Sequence, residues 1–66
     1  MKLTRVVERC DNGPCPTLYT TDRGTYVLQG FRVTDPEALT ALNLPAHETA
    51  VEVPRALLTD AVAKGA

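Results

Sequence analysis

The chain has no tryptophan, one phenylalanine (Phe31) and two tyrosines (Tyr19 and Tyr26). Without large aromatic anchors, a core has to be assembled from Val, Leu and Ala. At 66 residues the chain is one domain. A chain of that length withdraws only about 60% of its unfolded surface from water. Domains this small gain further stability from a disulfide, a metal or a partner subunit. The shortage of aromatics points first to a partner subunit, and so to a homodimer.

Other shortages exclude functions. His47 is the only histidine, and a nucleophile–base–acid triad also needs a pocket that excludes water. A chain this short leaves little room for one, so no catalytic residue, cofactor or small-molecule substrate is expected. The carboxylates Asp35, Glu37, Glu48 and Glu52 are better explained as helix-start and solvent-facing charges than as an acid–base pair. The four glycines, at 13, 24, 30 and 65, lack the spacing of a phosphate loop. No apolar run approaches the roughly 18 residues that span a bilayer. Arg5, Glu8 and Arg9 interrupt what would be the apolar stretch of a signal peptide. The expectation is a cytoplasmic protein without a membrane partner, its thiols reduced.

Net charge is −1, so no overall field draws in nucleic acid. The charge is uneven, however. Residues 1–34 carry five basic and three acidic side chains, and residues 35–66 carry two basic and five acidic ones. A basic front and an acidic back suit self-association or a protein partner.

What is present reads as alternating strands followed by two helices. Residues 3–10, LTRVVERC, are β-branched and partly alternating, as in a strand. DNGP (11–14) is a dense turn signal, TLYTT (17–21) a second strand, and DRG (22–24) a three-residue hairpin loop with Gly24 left-handed. TYVLQGFRV (25–33) reads as the longest strand, with Gly30 marking a bulge or a close backbone approach. Asp35 caps a helix that Pro36 opens, Leu39 and Leu42 share its one apolar face, and Pro45 ends it near Asn43. AVEV (50–53) is a fourth strand. Pro54 opens a second helix with an apolar stripe of Leu57, Leu58, Ala61 and Val62, closed by Gly65. The fold class is α+β, in the order β-β-β-α-β-α with a mostly antiparallel sheet.

The only cysteines, Cys10 and Cys15, flank DNGP. A hairpin there places them opposite one another, and four readings follow: unbonded structural thiols at a hairpin tip, a disulfide, a metal site or a redox pair. The first is favoured. A zinc site takes four ligands, and Cys10, Cys15 and His47 would supply three, with Asp11 or water as the fourth. A symmetric dimer would offer four thiolates instead. The spacing is not the C-x-x-C of thioredoxin-like redox sites. Arg5, Arg9, Arg23 and Arg32 fall in the sheet or its turns, with Arg5 and Arg9 on one face by strict alternation. Such a stripe would contact phosphates, but without interleaved aromatics a solvated face is the better reading. The candidate interaction surface is the edge of strand 25–33 with the turn before it: Asp22, Arg23, Tyr26, Leu28 and Arg32. An unpaired edge invites a strand from another chain.

Two resemblances add to this. Gly24, Pro36, Leu39, Leu42, Leu44 and Val51-Glu52-Val53 stand in an order similar to the AbrB-type swapped-hairpin transcription factors. Glu48-Thr49 stands where that family has Gly-Asp. This likeness implies an intertwined dimer that binds DNA. CPTLYTTDRGTYVLQGFRVTDPEAL with the later LNLP and ETAVEVP resembles a group of small uncharacterised actinomycete proteins encoded near helix-turn-helix regulators, which implies a regulatory accessory. With the homodimer expected above, the reading is a homodimeric accessory of a transcriptional or developmental regulatory system. The expectation is therefore a non-catalytic interaction module. A DNA-binding factor is the alternative, and a zinc-stabilised domain the third reading.

Overall fold

A computed structural model of the chain describes residues 1–10 and 15–66. The turn expected at residues 11–14, and Asp11 as a ligand, lie outside the described residues. Strands β1 (Leu3–Glu8), β2 (Thr17–Thr21) and β3 (Tyr26–Gln29) form an antiparallel sheet in the order β1-β2-β3. β4 (Phe31–Arg32) and β5 (Val51–Glu52) form a second, two-stranded antiparallel sheet. Helix α1 (Pro36–Leu42) lies between β4 and β5 in sequence, and α2 (Arg55–Ala63) follows β5. The α+β class holds, with the order β-β-β-β-α-β-α.

The extra strand comes from Gly30. The stretch expected as one strand over 25–33 divides there, and its second part leaves β2 to pair with β5. The cause is a close backbone approach. A Cβ on Gly30 would sit 2.6 Å from Val53 Cγ1 and 2.7 Å from the Glu52 carbonyl oxygen. Only glycine lets β5 cross at that distance. Val53, delivered by the crossing, packs against the core.

α2 lies against β1 and β2. Val7, Leu18, Leu57 and Ala61 are the buried core, with Val6, Leu28 and Val53 partly buried around it. Of the stripe expected on α2, Leu57 and Ala61 point inward, whereas Leu58 and Val62 are exposed. Pro54 is the N-cap of α2 rather than its first residue. Beyond the last helical residue, Gly65 takes a left-handed φ of 86°.

A bulge shapes β1. Arg5 pairs with Tyr19 but Val7 with Leu18, so Val6 is the extra residue. An inserted residue shifts the alternation by one, and two consecutive valines, 6 and 7, reach the core. The same shift separates the arginines. Arg5 shares a face with Tyr19, whereas Val7 and Arg9 lie on the face of Leu18, under α2. Arg9 there donates to Asp60 of α2 at 3.0 Å. The expected stripe with Arg5 and Arg9 side by side does not form.

The Gly30 contact is directly testable. Gly30→Ala should lower unfolding free energy by about 1–3 kcal/mol, the usual cost of overpacking, measured by urea denaturation. An unchanged midpoint would show that β5 does not depend on the crossing.

Candidate functional site

α1 starts as its sequence directs. The Asp35 carboxylate accepts a hydrogen bond from the Ala38 N–H at 2.9 Å, Pro36 occupies the first turn, and Glu37 adds first-turn acidity. The helix ends at Asn43, left-handed at φ 46°, whose N–H donates to the Leu39 carbonyl at 3.1 Å. It is therefore a well-capped helix, yet it buries no residue. Its apolar side and the β4–β5 pair enclose an open groove of about 660 Å³, whose lining includes Arg32, Val33, Asp35, Leu42, Val51 and Glu52. On its lining Leu42 (46% exposed) and Val51 meet solvent, and Leu39 and Phe31 are exposed outside it. Registers Phe31↔Glu52 and Arg32↔Val51 set this rim.

The expected interaction residues divide between two places. Asp22 and Arg23 are exposed in the turn before β3, and Tyr26 is 57% exposed at the start of that strand. The turn is held by hydrogen bonds between Thr21 and Thr25 and by the Lys2 N–H to the Asp22 carboxylate at 3.1 Å. Arg32 lies beyond Gly30, on the groove. Leu28 pairs opposite Leu18 and packs against the core instead of facing solvent. The groove's own apolar lining, Val33, Ala38, Leu42 and Val51, is not a surface that the sequence reading names. One signal for it is visible in the sequence: Leu42 belongs to an i, i+3 leucine pair on a helix too short to supply its own partner.

Elsewhere the β1–β2 ladder runs on past the strands, and Cys15 and Pro16 share a small cavity with Gln29, Gly30 and Phe31. The Arg9 N–H donates to the Pro16 carbonyl at 2.9 Å, which brings the Cα atoms of Cys10 and Cys15 to 4.4 Å. The two are joined in a disulfide, and no described cysteine is free. This corrects the expectation of unbonded thiols: backbone pairing leaves the two Cβ atoms within bonding reach. Buried Thr17 donates to the Cys15 carbonyl at 2.8 Å, fixing that side of the hairpin.

Potential ligand atoms of Glu8, Cys10 and Cys15 lie within 4.8 Å of one another, and no other such group occurs among the described residues. His47 does not join it. That side chain is exposed in the loop after α1, with Nε2 3.9 Å from the Glu48 carboxylate. Arg5, Arg9, Arg23 and Arg32 are spread over the turn, both faces of the first sheet and the groove, so they make no continuous basic track.

No protein family, curated protein or solved structure matches the chain. Among the described residues no helix is long and apolar enough to cross a membrane.

Closing so short a loop contributes about 2 kcal/mol by chain entropy. Reduction by a phosphine should thus lower the thermal midpoint by roughly 8–16 °C, read by circular dichroism. A midpoint insensitive to reductant would mean that the disulfide carries no stability.

Proposed function

We propose that the protein is a non-catalytic interaction module that works as a homodimer through the groove between α1 and the β4–β5 pair. The observation that carries this is α1 itself, a capped helix with no buried residue. Surface area supports it. The chain exposes 5228 Å², whereas a folded monomer of 7.1 kDa exposes about 4,100 Å². The excess of roughly 1,100 Å² compares with the ~800 Å² that each partner covers in a standard interface. Shape agrees. The radius of gyration is 13.1 Å, in a plate of 33 × 30 × 19 Å, against about 11 Å for a compact chain of this length.

A second copy is the occupant that the chemistry favours. A two-fold interface requires a patch complementary to itself. The groove's lining combines apolar side chains with both signs of charge, Arg32 together with Asp35 and Glu52. Two copies related by a two-fold axis can set each Arg32 against the partner's carboxylates while Leu42 and Val51 close the middle. The turn at Asp22 and Arg23, with Tyr26, then stays outward for a further protein partner. A role as accessory of a transcriptional or developmental regulatory system rests on sequence resemblance alone. Direct DNA binding is the weaker reading, because Arg5 and Arg9 lie on opposite faces.

Multi-angle light scattering should give twice 7.1 kDa at micromolar concentration. Leu42→Lys, which alters an exposed side chain, should give the monomer mass with an unchanged circular dichroism spectrum. A monomeric wild type at high micromolar concentration would remove the dimer. A dimer indifferent to Leu42→Lys would move the interface elsewhere.

A further inference from the structure

We propose that the hairpin end is a metal site closed by its own disulfide: once reduced, Cys10, Cys15 and Glu8 together bind a borderline-soft divalent cation, with zinc the best fit. Two thiolates and one carboxylate are a donor set that zinc accepts, with a fourth position left for water or an outside ligand. All three donors come from one hairpin. They are held by backbone pairing that does not depend on the disulfide: the Glu8↔Thr17 register, the Arg9 N–H to Pro16 carbonyl bond and the Thr17 hydroxyl to Cys15 carbonyl bond. Opening the sulfur–sulfur bond therefore frees two donors without removing the frame that places them.

Glu8 has the setting of a ligand. Arg5 lies 3.4 Å from its Oε1, and a carboxylate oxygen of Glu8 lies within 4.8 Å of both sulfurs. A partner of this kind orients a ligating carboxylate. Charge balances as well. Two thiolates and a carboxylate carry three negative charges, which the divalent ion and Arg5 offset.

The opening step is thiol–disulfide exchange. A dithiol reductant gives two electrons and two protons. The Cys10–Cys15 bond breaks to two thiols while the reductant becomes a disulfide. Metal binding then displaces the two thiol protons. Exchange with a disulfide oxidant runs the step backward: the two thiolates rejoin as the Cys10–Cys15 bond, the oxidant is reduced to two thiols with protons from water, and the ion is released, so occupancy follows the redox state.

The test is a cobalt(II) titration of the full chain, oxidised and phosphine-reduced, followed by thiolate-to-cobalt charge-transfer absorption and by native mass spectrometry with zinc. Circular dichroism first establishes that the reduced chain is folded. The proposal expects one metal per chain when reduced and none when oxidised. Glu8→Gln, which leaves both cysteines in place, should weaken binding by about tenfold or more, a scale that loss of outer-shell partners already reaches. His47→Ala should leave affinity unchanged, and zinc should raise the thermal midpoint of the reduced chain. No metal bound by the folded reduced chain would overturn the site. So would binding by the oxidised chain, or affinity indifferent to Glu8→Gln. Half a metal per chain would assign four thiolates of two copies in place of Glu8.

Discussion

Leu57 is the one large apolar side chain among the described residues that is fully withdrawn from water, and the rest of the molecule is arranged to keep it so. It reaches that position because α2 lies on β1 and β2. α2 lies there because Val53 and Pro54 feed it from β5, and β5 is where it is because Gly30 lets it cross within contact distance. On the opposing side the bulge at Val6 turns two consecutive valines toward the same helix. Arg9 and Asp60 clamp the edge of the contact, though a half-exposed pair of this kind adds at most about 1 kcal/mol. Burying a leucine contributes roughly 1.5–3 kcal/mol. With a core of four buried apolar residues among the described ones, that is a large share of what a domain this small possesses.

The same economy explains what is left open. Apolar residues used around Leu57 come from β1, β2, β3, the end of β5 and one side of α2. None comes from α1, although α1 carries two leucines and complete caps. A helix of seven residues is not stable in water by itself, so its apolar side needs a partner, and among the described residues nothing buries it. The groove and the hairpin end are then separate devices. One leaves apolar area exposed; the other brings three potential ligands together and is locked by its own disulfide.

Much of this was legible from the residues, and the limits have physical causes. Caps and turns were local matters. Asp35, Pro36, Asn43 and Gly24 behave as their side chains and backbone preferences direct. Gly30 announced a close approach but not its direction, since the crossing partner is twenty residues away. The sidedness of β1 was misread for a related reason. A bulge shows in pairing register, not in composition, and one extra residue at Val6 was enough to part Arg5 from Arg9. The stripe on α2 was read too wide, because periodicity gives which side chains share a face but not how far the opposing sheet extends to cover it. Leu28 was placed outward by counting along a strand that in fact packs its even-numbered leucine inward. The cysteines were rightly set opposite one another, while the bond between them depends on pairing beyond the strand ends.

The central claim is that α1 is covered by a second copy of the chain. Isotope-filtered nuclear Overhauser spectroscopy on an equal mixture of labelled and unlabelled protein tests it most directly, because only contacts between copies give signal. The account predicts intermolecular cross-peaks from the methyl groups of Val33, Ala38, Leu42 and Val51, which line the groove. Cross-peaks confined to other residues, or none at millimolar concentration, would contradict it.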